Sequence, residues 1–166
     1  MLQRQIPSPE RMKLLEHYLQ QPDELERLLQ RFPEAEILQP PGQAAWSAHQ
    51  VMVHMRDVEV RAYHMRLERI LRQDNPTFED FDAEGWMKEH YRESEPVKAV
   101  LQSFVAARQR AKMLTADMTP QDWERPGTHP ETGPRSFEWW MIRSIEHAQE
   151  HLDELAQRLG SPEQEV

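Results

Sequence analysis

Apolar side chains return every three to four positions along most of this chain, and the pattern breaks where prolines and glycines cluster. The breaks leave four helical stretches. The first covers residues 9–32, with Leu15, Tyr18, Leu19, Leu25, Leu28, Leu29 and Phe32 on its apolar side. Ser8 can cap it with Pro9 at the first helical position, and Pro22 is expected to kink or split it. A loop around Pro40, Pro41 and Gly42 follows. The second stretch begins at Ser47, which forms a capping-box pair with Gln50, and ends near Asp74, ahead of Asn75 and Pro76. Val51, Met55, Val58, Ala62 and Met65 recur along it at helical spacing.

Residues 75–94 form a long connection whose Phe78, Phe81, Trp86 and Tyr91 should pack on the body of the protein. The third stretch covers residues 95–117, with Val97, Leu101, Phe104, Ala111 and Leu114 inward. A loop rich in proline and glycine, residues 119–135, carries Trp123. The fourth stretch starts at Ser136 and stops at Gly160-Ser161-Pro162, with Phe137, Met141, Ile145, Ala148, Leu152, Leu155 and Leu159 as its stripe. These elements predict an all-α fold: a four-helix bundle with a crossover connection between helices 2 and 3. Residues 1–160 read as one domain and residues 161–166 as a flexible tail.

Composition narrows the function. The net charge is −9, from 29 acidic and 20 basic residues, so a phosphate backbone would be repelled and nucleic acid is not an expected partner. There is no cysteine, which excludes disulfides, thiolate metal sites and a cysteine nucleophile. No apolar run nears the roughly 20 residues of a membrane span, and the first ten residues lack a signal-peptide core. The expected setting is the cytoplasm. Arg61, Arg66, Arg69 and Arg72, interleaved with Glu59 and Glu68, read as a solvated face.

Three of the eight histidines sit where chemistry could use them. His147 and His151, four apart on the fourth helix, share one face and could share one metal ion. They flank the apolar stripe beside Trp140 and Ser144, and His54 flanks the stripe of the second helix, one turn from Val51 and Val58. Three neutral imidazoles would leave coordination positions open, the catalytic rather than the structural pattern. The competing reading is three ordinary histidines at the edge of a core, and spacing alone does not choose between them. Asp57, one turn from His54, and Glu154, one turn from His151, could each orient a ligand or accept a proton. His17 and His64 lie on predicted helices without partners at ligand spacing, His49 sits in a helix's first turn, and His90 and His129 fall in connecting segments.

Pro40-Pro41-Gly42, Trp46-Ser47 and Val51-Met52-Val53-His54-Met55 resemble the opening of DinB-like proteins. Trp123, His129-Pro130, Gly133, Ser136 and Glu146-His147-Ala148-Gln149-Glu150-His151-Leu152 resemble their close. The likeness extends over nearly the whole chain. It implies a bundle with the crossover above, and a divalent metal (zinc, nickel, iron or manganese) on His54, His147 and His151. It also implies a homodimer acting on a small-molecule substrate. The implied activity is that of a metal-dependent hydrolase, or of a transferase or isomerase using a low-molecular-weight thiol such as bacillithiol or mycothiol. The alternative is a non-catalytic stress-response or binding bundle with a structural or vestigial metal. Met55 stands where such proteins usually have leucine.

Overall fold

A computed structural model describes residues 7–160; the expected tail lies outside the described residues. Helix α1 (Pro9–Arg31) starts as its residues dictate, with Pro9 in the first turn and the Ser8 hydroxyl accepting from the Arg11 N–H. It does not break at Pro22. Tyr18, Gln21, Pro22 and Leu25 are all buried, and this packing carries the helix across the missing backbone hydrogen bond. A short helix α2 (Glu34–Ile37) leads to the next long element.

That element is a rod of three pieces: α3 (Ala48–Val58), a π turn (Glu59–Tyr63) and α4 (His64–Arg72). Both halves of the Ser47–Gln50 capping box are made. The π turn admits one extra residue, which rotates everything after it by roughly 100°. The stripe therefore does not continue through Met65: the positions buried in α4 are His64, Arg66, Leu67 and Ile70. Glu59 and Arg66, expected on the solvated face, are 2% and 6% exposed.

The connection that follows contains a helix α5 (Ala83–His90), capped by Asp82, which the periodicity did not announce. Helix α6 (Val97–Thr115) begins after Pro96, and α7 (Phe137–Arg158) begins at Ser136, whose hydroxyl caps the Trp139 N–H. Between them the Pro- and Gly-rich loop carries a two-stranded antiparallel hairpin, β1 (Pro126–His129) and β2 (Gly133–Ser136), so the helical bundle has one small sheet appended. Gly133, at φ 71°, supplies the left-handed residue that closes the hairpin. At Gly127 a Cβ would come within 2.4 Å of the Phe78 ring, so only glycine lets β1 lie on that side chain.

Contacts across the bundle fix its directions. Arg11 reaches Glu138 and Gln21 reaches Ile145, so α1 and α7 run the same way. Arg56 reaches Glu95 just ahead of α6, and Arg61 and Arg110 line one cleft, so α6 runs parallel to the α3–α4 rod. Arg158 reaches the Trp46 carbonyl while Ser144 reaches Glu59, so α7 runs against that rod. The segment between α4 and α6 must then return along the bundle, which is the crossover.

Two apolar clusters fill the interior. One gathers Tyr18, Val58, Ala62, Ile70, Phe78, Trp123, Phe137, Trp140 and Met141; the other gathers Leu25, Val51, Met52, Met55, Phe104, Leu152 and Leu155. A polar layer lies between them, with members from every main helix. Glu59 takes hydrogen bonds from the Tyr18 hydroxyl (2.5 Å) and the Ser144 hydroxyl (2.6 Å), and an ion pair from Arg108 (3.2 Å). Arg108 also donates to the Tyr18 carbonyl (2.6 Å) and the Gln21 side-chain oxygen (2.9 Å). Arg108 is 0% exposed and Glu59 2%, so each charge depends on the other. Replacing Arg108 by Met should lower unfolding free energy by about 3–5 kcal/mol, because a buried carboxylate is left unpaired. Urea unfolding measures this, and a loss under about 1 kcal/mol would contradict the pairing described here.

Candidate metal centre

His54 sits on α3 one turn before the π turn, and His147 and His151 sit on the facing stretch of α7. The antiparallel course of the two helices brings the three rings together. Ring centroids are 5.1 Å apart for His54 and His147, 4.9 Å for His54 and His151, and 4.8 Å for His147 and His151. One nitrogen from each ring can be chosen so that all three lie within 4.8 Å of one another. The Nε2 atoms of His54 and His147 are 3.1 Å apart. Two nitrogens bound at 2.0–2.1 Å to one tetrahedral ion would be about 3.4 Å apart, so the cluster is close to the size an ion needs.

The donors also suit a cation. Burial is the main reason the His54 pKa falls to about 4, with His151 adding to it, and the reason the His147 pKa falls to about 3, with His151 and His54 adding to it. Both rings are held neutral, with lone pairs available. No carboxylate joins the three nitrogens among the described residues, so a bound ion would keep positions for other ligands.

Around the cluster, Glu154 accepts from His151 Nδ1 at 3.1 Å and is itself held by Arg158. That contact fixes the ring so that Nε2 is the free nitrogen. Asp57 does not do the same for His54. It is taken by Arg56 Nε (2.6 Å) and the Trp86 indole N–H (3.1 Å), facing the cleft beside α6. One helical turn from His54 is close in sequence, but Asp57 lies on the other flank of α3. His54 Nδ1 is buried without a partner among the described residues, and the Trp46 ring packs on His54 with centroids 4.9 Å apart.

The remaining histidines stay apart from the cluster. His49 is a satisfied core residue, with Nδ1 2.8 Å from the Tyr91 hydroxyl and Nε2 2.7 Å from the Glu95 carbonyl. His129, carried by the hairpin, is 3.5 Å from Asp80. A cavity of about 320 Å³ opens on His54 and His147, and Tyr63, Arg66, His129 and Trp140 also line it. Trp140 was marked by its place beside His147 on α7, whereas Tyr63, Arg66 and His129 were not, because the π turn and the hairpin bring them there.

A family model described as the DinB superfamily matches residues 17–155. The chain belongs to the DinB superfamily. Among relatives of this DinB protein, one from Oceanobacillus iheyensis is 33% identical over 92 residues, 55% of this chain and 52% of its own length. One from Bacillus mycoides is 27% identical over 112 residues, 68% of this chain and 64% of its own. The names of both propose a metal-dependent hydrolase, and this chain spans between half and two thirds of their length. YfiT from Bacillus subtilis has the same fold, with a TM-score of 0.75 at 20% identity over 96% of this chain and 93% of its own. It is described as a four-helix bundle of unusual topology, and a metal-dependent hydrolase activity is proposed for it as well. The four-helix bundle protein TT2238 aligns with a TM-score of 0.62 at 22% identity, over 86% of this chain and 95% of its own.

The half-buried His54 and His147 make this DinB fold sensitive to acid. Their folded pKa values, about 4 and about 3, lie below the ordinary 6.5, so the unfolded chain binds protons first. The stability they permit is complete above pH 6.5 and is lost as pH falls through that value toward the folded pKa values. Thermal melts of chelator-treated protein should therefore show a falling midpoint from about pH 6.5 to 4. His147→Phe should flatten that fall, and an unchanged slope would show that other groups set it.

Proposed function

We propose that this DinB protein is a metal-dependent hydrolase of a small-molecule substrate, with His54, His147 and His151 holding one divalent ion. The observation that carries this reading is the convergence of three nitrogens from two helices beside a cavity, with no fourth protein ligand among the described residues. A closed sphere would instead favour a structural metal. The chemistry such an ion supplies is Lewis acidity, which brings a water or thiol to ionise near neutral pH.

The chain's own residues divide the remaining work. Glu154 holds the His151 ring, and Arg158 holds Glu154. Trp46 walls one side of His54. Burial raises the pKa of the Tyr63 hydroxyl, so at neutral pH Tyr63 offers a proton rather than a negative charge to what occupies the cavity. The nucleophile is water in the hydrolase reading. The sulfur of a low-molecular-weight thiol, which the resemblance also implies, would make the protein a transferase on the same ligands. No helix among the described residues is long and apolar enough to cross a membrane. Homodimer assembly follows from the same resemblance, and light scattering should then give about twice the 19.8 kDa of one chain.

Untagged protein should carry close to one transition-metal ion per chain by elemental analysis. Imidazole suits zinc, nickel, iron and manganese, so the measurement also names the metal. His54→Ala, His147→Ala and His151→Ala should each lower occupancy, and Glu154→Gln should weaken metal affinity or activity by about 10- to 100-fold. Asp57→Asn should leave both near wild type, since Asp57 faces another cleft. Ester, amide and electrophile-plus-thiol substrates assayed with and without chelator separate hydrolysis from transfer. Activity should rise with pH through one ionisation at roughly pH 6–8. Absence of any metal uptake would end the proposal.

A further inference from the structure

The cavity beside the histidines contains an arginine that the metal reading does not use. Arg66, turned inward by the π turn, is 6% exposed and lines the cavity. Buried guanidinium groups are ordinarily paired, as Arg108 is with Glu59. Arg66 is not. Among the described residues its hydrogen bonding amounts to one long contact, 3.4 Å from Nη2 to the Glu79 carbonyl, and its Nε has no acceptor. Its guanidinium carbon lies 4.7 Å from the centre of the Trp140 ring. Trp140 is 3% exposed, lines the same cavity, and its indole N–H also has no acceptor among the described residues.

Two buried donors without acceptors thus share one wall, and His54 and His147 border the same space. Val58, Phe81 and Trp139 give the cavity an apolar stretch. The carboxylates of the cavity, Asp80 and Glu131, are exposed at its rim, and Asp80 is 3.5 Å from His129. Arg143 also lines the cavity but is paired with Glu146 at 2.5 Å.

We infer that the Arg66–Trp140 wall binds a carboxylate of the substrate, whose apolar body then lies across the cavity toward His54 and His147. This deepens the hydrolase reading and rests on it for the word substrate. The planar guanidinium fork matches a carboxylate through two parallel hydrogen bonds, and the indole N–H adds a third donor. The shared chemistry of an oxyanion would also admit phosphate, but the rim carboxylates Asp80 and Glu131 oppose a dianion more than a monoanion. The resulting substrate class is a small monocarboxylic acid with an apolar or aromatic portion.

The test uses chelator-treated full-length protein, so that it does not depend on the metal. Benzoate, its uncharged counterpart benzamide, and inorganic phosphate are titrated separately while the indole ¹H–¹⁵N signals are followed. The Trp140 signal is the one lost in Trp140→Phe. Benzoate should shift it saturably, and benzamide and phosphate should bind about tenfold more weakly or worse, the loss expected for a missing charged hydrogen bond. Arg66→Met should weaken benzoate by about tenfold or more, and Arg66→Lys, which keeps the charge but not the fork, should fall between. Trp140→Phe, followed by calorimetry, should weaken it less. If Arg66→Met fails to fold, Arg66→Lys and Trp140→Phe still decide. Equal binding of benzoate and benzamide, tighter binding of phosphate, no shift with benzoate, or unchanged affinity in Arg66→Lys and Trp140→Phe would each overturn the assignment. Metal uptake measured on the same preparations is a separate readout: it can fail while the carboxylate wall stands, and the wall can fail while the metal stands.

Discussion

The ion pair between Glu59 and Arg108 is the constraint on which the rest of this bundle depends. It lies between the two apolar clusters, and its partners Tyr18, Gln21 and Ser144 bring in α1 and α7, so all four long helices meet at one polar layer. An apolar seam tolerates sliding by a turn, because one leucine replaces another at little cost. A buried carboxylate with three donors does not, since any slip leaves a charge unpaired at low dielectric. The layer therefore sets the register of α7 against the α3–α4 rod. Ser144, which binds Glu59, is one turn from His147, and Glu59 is little more than one turn from His54. The register that satisfies the charge is the register that brings the histidines together.

The π turn acts through one extra residue. Glu59, whose place in the layer is set by α3, opens it, and the extra residue turns the following face so that Arg66 enters the cavity. π turns are rare and concentrate at functional sites, where a local distortion re-aims side chains that a regular helix would send elsewhere. Here it separates two environments along one rod. Before it, His54 is held neutral by burial; after it, Arg66 is buried with its charge, and among the described residues it makes no close ion pair, the exposed Asp80 acting on it from farther off.

The long connections contribute position rather than mass. The crossover segment lays Phe78 and Phe81 along α4, and the hairpin lies on Phe78 through Gly127 and delivers His129 to the cavity mouth. Backbone bonds between Phe78 and Thr128 (2.8 Å) and between Thr128 and Pro76 (2.8 Å) tie the two connections together. Both connections thus add residues to a cavity whose other walls are the α3–α4 rod and α7, and both are fastened to the same stretch of α4.

Much of this was written in the sequence. Periodicity, the Ser8, Ser47 and Ser136 caps, and the glycine stop at Gly160 gave the four long helices, because these signals act within a few residues. His147 and His151 could be placed on one face for the same reason, and His54 on the flank of its own helix. What joins His54 to them is a contact across 93 residues, which no local pattern encodes. Asp57 and Glu154 looked alike by spacing, yet one meets Trp86 and Arg56 while the other meets His151, because flank and neighbour decide what a carboxylate touches. Glu59 looked like a solvated charge because it alternates with arginines along the chain, and Arg66 because a wheel drawn at 3.6 residues per turn runs straight through the π turn. The sequence by itself determined the four long helical stretches and which side chains could carry chemistry. The tertiary structure decided which of them face one another, since the burial of one ion pair and the insertion of one residue in a turn are settled only when the helices pack.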